Sequence, residues 1–160
     1  MKKITIALLF TFTFFAMQTI YVAAKSHKNP PPEWISTLKT SVKNSFRTQV
    51  LLSKVERKDH LDGQNYQMFR LEGSGSLSSV SRPFEIARDI FLESKSKQGV
   101  WREDYNYAAD GHASASFGFR RDNQLCLSSV WSDSSDDDSE TGHIPNKFWF
   151  SIDCREDNQE

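Results

Sequence analysis

Four residues near the C-terminal end of the chain, Cys126, Trp131, Trp149 and Cys154, constrain its fold more than any other feature. If Trp131 faces Trp149 across two antiparallel strands, the same register sets Val130 against Phe150 and Ser128 against Ile152. It also sets Cys126 against Cys154. One register therefore pairs two tryptophans on one face of a sheet and brings two thiols together on the other. Directly opposed cysteines favour a non-hydrogen-bonded pair, where Cα atoms approach to about 4.5 Å. Closing that loop is expected to contribute about 3 to 4 kcal/mol.

A disulfide needs an oxidising compartment, and the N-terminus supplies the argument for one. Met1-Lys2-Lys3 is a charged n-region, Ile4 to Met17 carries no charge, and Tyr21-Val22-Ala23-Ala24 offers small residues for a signal peptidase. Residues 1–24 read as an export signal cut after Ala24, leaving a mature chain from Lys25. Uncleaved, the same stretch has the length of a membrane anchor. The expected location is periplasmic or secreted, with no nucleic-acid partner. With only two cysteines and no CxxC, a bridge is the expected use of both thiols.

Residues 25–160 have the size of one domain. The full chain has a formal net charge of −1, which makes no case for a polyanion partner. Residues 25–58 carry eight Lys or Arg against Glu33 and Glu56, whereas residues 59–160 carry ten against nineteen acidic residues. A basic helix folded onto an acidic sheet edge or loop accounts for this asymmetry.

After a Pro-rich polar lead-in over residues 25–32, the single domain spans residues 33–160. Trp34, Leu38, Val42 and Phe46 recur every four residues, with Ile35 widening the stripe, and predict a helix over Glu33 to Phe46. Thr48 to Arg57 and Asn65 to Leu71 read as a β-hairpin turned at Asp62-Gly63, and Gly73-Ser74-Gly75-Ser76 is expected to end it. A second helix is expected to begin after Ser81, with Pro83 in its first turn and Phe84, Ala87, Ile90 and Phe91 as its apolar face. Strands are then expected over Val100 to Tyr107, His112 to Phe119, Leu125 to Trp131 and Lys147 to Cys154. The fold class is α+β, order α-β-β-α-β-β-β-β. An antiparallel sheet of five to six strands should carry one or two helices on one face.

Motifs for chemistry are scarce. The run from Ser132 to His143 includes Asp133, Asp136, Asp137 and Asp138, the kind of oxygen set Ca²⁺ takes. An EF-hand register from Asp133 fails, however, because Asp138 and Ile144 stand where Gly and Glu are required. A solvated, self-repelling connection between strands is the plainer reading. His112, His143 and Asp110 lack the short spacing of a zinc set, and His27 and His60 lie in the lead-in and a turn. No nucleophile elbow, His-Glu-x-x-His or phosphate loop occurs. Adjacent Glu103 and Asp104 would point to opposite faces of a strand, so they cannot work as a carboxylate pair. No metal or cofactor is expected.

The segment Trp101-Arg102-Glu103-Asp104-Tyr105-Asn106-Tyr107 is rich in the residues that anchor interfaces. Trp101, Arg102, Tyr105 and Tyr107 are the candidate contacts for a protein partner, and capping of the core by the three aromatic rings is the competing account. The resulting expectation is an exported, non-enzymatic binding domain, of inhibitor or immunity type, acting in the cell envelope. A small-ligand carrier with Trp34, Phe84, Phe117 and Phe148 around an apolar cavity is the alternative. A hydrolase without a recognisable motif is third. The sequence assigns no oligomeric state.

Overall fold

The computed structural model describes residues 30–94, 99–111, 113–133 and 146–157. The export signal, His27, His112, His143 and Asp136, Asp137 and Asp138 lie outside the described residues. In chain order the elements are helix α1 (Glu33–Phe46), strands β1 (Leu51–Lys58) and β2 (Asn65–Ser76), and helix α2 (Pro83–Leu92). Then follow β3 (Arg102–Glu103), a 3-10 helix (Tyr105–Tyr107), β4 (Ala109–Gly111), β5 (Ser114–Arg121), β6 (Gln124–Ser132) and β7 (Lys147–Glu156). All strand pairs are antiparallel in the order β1-β2-β7-β6-β5-β3, with β4 also on the outer side of β5.

Both helices form where apolar residues recur at helical spacing. Trp34, Ile35, Leu38, Val42 and Phe46 of α1 are all buried. Pro83 opens α2, where its missing N–H is harmless, and Ala87, Ile90 and Phe91 face inward. The two helices meet one sheet face made of Leu71, Phe119, Cys126, Val130, Phe148, Phe150, Ile152 and Cys154. Phe46 stacks on Phe150, and Phe91 on Phe119, each at 4.2 Å between ring centres. Ser128, small and fully buried, lets α2 approach β6. A smaller cluster of Met68, Tyr107, Leu125 and Leu127 occupies the helix-free face.

The hairpin β6-β7 has the predicted register. Trp131 faces Trp149, Val130 faces Phe150, Ser128 faces Ile152 and Cys126 faces Cys154. The two cysteines are bridged with Cα atoms 4.1 Å apart, the spacing of a non-hydrogen-bonded pair. Their side chains lie in the core, and the tryptophans lie on the opposite face.

Two expectations require correction. Gly73-Ser74-Gly75-Ser76 does not end the hairpin: β2 runs through it to Ser76, paired with Phe150, Trp149, Phe148 and Lys147 of β7. The rings of Phe150 and Phe148 lie across the two glycines. A Cβ on Gly73 would come within 2.8 Å of the Phe150 ring, and one on Gly75 within 2.5 Å of Phe148. Glycine leaves room for these rings, so the strand continues where small residues alone signal a stop. Likewise Val100 to Tyr107 is no single strand. Only Arg102 and Glu103 pair with β5. Asp104 accepts a hydrogen bond from the Asn106 N–H and starts the 3-10 helix. Gly118 on β5 makes this possible, since a Cβ there would stand 2.8 Å from Asp104 O and 2.7 Å from Tyr107 Cβ.

Candidate functional site

The turn from Trp101 to Tyr107 is fixed at both ends. Trp101, 3 % exposed, packs edge-on to Phe91 at 5.2 Å and near Trp34 at 6.3 Å, with the Arg121 guanidinium 4.4 Å above its ring. At the other end, Tyr107 is 7 % exposed and donates its hydroxyl to Asp59 Oδ2 at 2.7 Å. Burial and the Asp59 carboxylate push the Tyr107 phenol up to about 12. His60 meets its ring edge-on and contacts Asn106 O at 3.0 Å.

Between these anchors the side chains divide by face. Glu103 takes two hydrogen bonds from Arg88 of α2, and Arg88 holds its carboxyl below the usual range. Asp104 turns to the opposite face and accepts from Arg120 Nε at 2.6 Å. The two neighbouring carboxylates thus diverge, as strand geometry requires. Tyr105 stands outward at 76 % exposure, close to exposed Arg102 and Val100. An open cleft of about 900 Å³ runs beside them, with Asp104, Asn106, Arg120 and Asp122 on its walls. Of the four candidate contacts, Arg102 and Tyr105 therefore face solvent, whereas Trp101 and Tyr107 are built into the interior.

An ionic ladder continues from this turn along the end of the helix-free face. Arg120 bridges Asp104 to Asp157, Arg155 bridges Asp157 to Asp59, and Asp59 also receives Tyr107. Arg155 is buried and stacks 3.5 Å over the Tyr66 ring. Burial pushes the Asp59 carboxyl up, but hydrogen bonds from the Leu61 N–H, Tyr107 and Arg155 outweigh it and leave it below the usual range. Asp104 behaves likewise: burial raises it, and Arg120 with the Asn106 N–H brings it down. Carboxylates held this way are poor proton acceptors near neutral pH.

Deeper in the same face, Asp153 is fully buried and bound by Arg70 through both oxygens at 2.7 and 2.8 Å, with Arg57 at 2.7 Å. Neither this group nor the ladder was singled out by sequence motifs. Their only signal is that Arg57, Arg70, Arg120 and Arg155 occupy the strand positions alternate to the core.

The remaining candidates take structural places. Asp133 caps the far end of β7, accepting from the Asn146 and Lys147 N–H groups at 2.9 and 3.0 Å. Trp34 and Phe148 belong to the main core, and Phe84 and Phe117 pack against it. Among the described residues no cluster of His, Cys, Asp and Glu has the geometry of a metal site. No family model, curated protein or solved structure matches this chain.

Proposed function

We propose that the chain is an exported, non-enzymatic binding domain that engages a protein partner in the cell envelope, of inhibitor or immunity type, through the β3 edge of its sheet. The observation that carries this reading is Tyr105, a large ring at 76 % exposure on a turn whose flanks, Trp101 and Tyr107, are locked in the interior. An aromatic side chain held on a rigid backbone buries much area at little entropic cost, which is what makes tyrosine a frequent hot spot. Arg102 beside it adds a planar donor, and the mixed-charge cleft suits a polar rim. Support against catalysis comes from the carboxylates along the ladder, each engaged by an arginine. The packing of Trp34, Phe84, Phe117 and Phe148 into or against the core weighs against a ligand carrier. The Cys126–Cys154 bridge is compatible with an oxidising compartment.

Capture from cell-envelope extract tests the proposal. Tyr105→Ala should lose about tenfold or more of the captured partner with an unchanged melting temperature, and native mass measurement of the bait should show a chain starting at Lys25. Trp101→Ala, in contrast, should lower the melting temperature. Undiminished capture by a Tyr105→Ala, Arg102→Ala double variant would remove this edge from consideration.

A further inference from the structure

The opposite margin of the sheet carries a second surface. Strand β1 is eight residues long and, among the described residues, pairs only with β2. Asp59 donates its N–H to Gln64 O across the turn. By antiparallel alternation, the odd-numbered residues of β1 exchange hydrogen bonds with β2. The N–H and C=O groups of Leu52, Lys54, Glu56 and Lys58 consequently point outward. Such an edge is a template for another strand. Here the exposed side chains, Lys54, Glu56 and Lys58, alternate in sign along one face.

We propose that β1 pairs antiparallel with β1 of a second copy of this chain, about a two-fold axis through Val55. A two-fold contact must carry residue i onto j and j onto i, and only even-numbered residues of β1 offer outward hydrogen bonds. Few registers satisfy both conditions. Centred on Val55, the pairing sets Lys54 against the partner's Glu56 and Glu56 against the partner's Lys54, with Ser53 beside the partner's Arg57. A shift of two pairing positions one way opposes Lys54 to itself. The same shift the other way opposes Glu56 to itself and Lys54 to the partner's Lys58. One further step restores a Glu56–Lys58 pair, but it opposes Arg57 to itself and keeps only residues 56–58 in the ladder. Opposite charges across a pair are favourable and like charges are not, so charge selects the Val55-centred register.

The Lys54 and Glu56 side chains are both exposed, and their contacts within the chain are long and solvent-facing. Lys54 lies 5.3 Å over the Phe69 ring and Glu56 takes a 3.3 Å bond from Gln67, both on the helix-bearing face. The resulting sheet is continuous across both copies and leaves the two β3 edges at its far ends. The pairing does not depend on what binds there.

Sedimentation and native mass measurement of the whole protein test the inference. A concentration-dependent dimer is expected. Lys54→Glu and Glu56→Lys should each weaken it by about tenfold or more, since each places like charges at both symmetric positions. Mixing the two variants should restore the dimer, because every cross-pair then has opposite signs. Val55→Cys should form a disulfide-linked dimer under mild oxidation, and Ser53→Cys should not. Circular dichroism melting confirms that each variant is folded. A protein monomeric up to about 1 mM overturns the inference. So does a dimer that persists in both single variants, or one that mixing fails to recover.

Discussion

Asp153 has no solvent exposure and lies mid-strand, a place where an unpaired carboxylate would cost several kcal/mol. Arg70 meets it from the neighbouring strand β2 and Arg57 from β1, one strand further out, and both keep contact with water, so their own desolvation is partial. Replacing Asp153 by Ala leaves two arginines facing an apolar gap. It is expected to lower stability by about 3 kcal/mol, at the mild end for breaking a buried pair, as read from the urea midpoint. A loss under about 1 kcal/mol would mean that water takes over both guanidinium groups. At this scale the sequence was half legible. Residue type marked Trp101, Arg102, Tyr105 and Tyr107 as a group, yet type alone does not say which ring turns inward. That was decided by the Asp104 cap and by Gly118, which together convert a strand into a turn and leave Tyr105 outside.

Among the elements, the β6-β7 hairpin is the part most fully written in the sequence. Two tryptophans and two cysteines agree on one register because side chains alternate with a period of two, and any slip by one residue would expose the core face. The Cys126–Cys154 bridge closes a separation of 28 residues. Reduction, or a Cys126→Ala, Cys154→Ala double variant, should lower the unfolding free energy by about 3 to 4 kcal/mol. Denaturant titration with and without reductant measures this, and the β-sheet signal should survive at low denaturant. Loss of less than about 1 kcal/mol would show that the hairpin is held by packing alone. β2 makes the opposite case. Its glycines read as an ending when seen in their own segment, but the rings that make them useful, Phe148 and Phe150, come from a strand more than 70 residues later.

For the whole molecule, the ionic ladder, the Glu103–Arg88 pair and the buried phenol are expected to bound the range of pH in which the fold is stable. The carboxyls of Asp59, Asp104 and Glu103 lie below their ordinary values of 3.8, 3.8 and 4.5. A group whose folded value is depressed contributes stability above its unfolded value, and that contribution is lost as pH falls through the folded one. Tyr107 has the reverse sense. Raised from 10.0 to about 12, it contributes below pH 10 and loses that contribution as pH climbs toward 12. The melting temperature is therefore expected to be level between about pH 5 and 9 and to fall on both sides. In Tyr107→Phe the alkaline fall should be reduced, and an unchanged alkaline limb would place its origin elsewhere. By itself the sequence determined the α+β class, the element order, the faces of α1 and α2, and the β6-β7 register with its bridge. Each of these follows from a local period or from partners within one hairpin. Only the tertiary structure decided the strand order, the ladder from Asp104 to Asp59, the seat of Asp153, and the exposure of Tyr105. These depend on residues far apart in the chain, brought together by the burial of one common core, which no local pattern records.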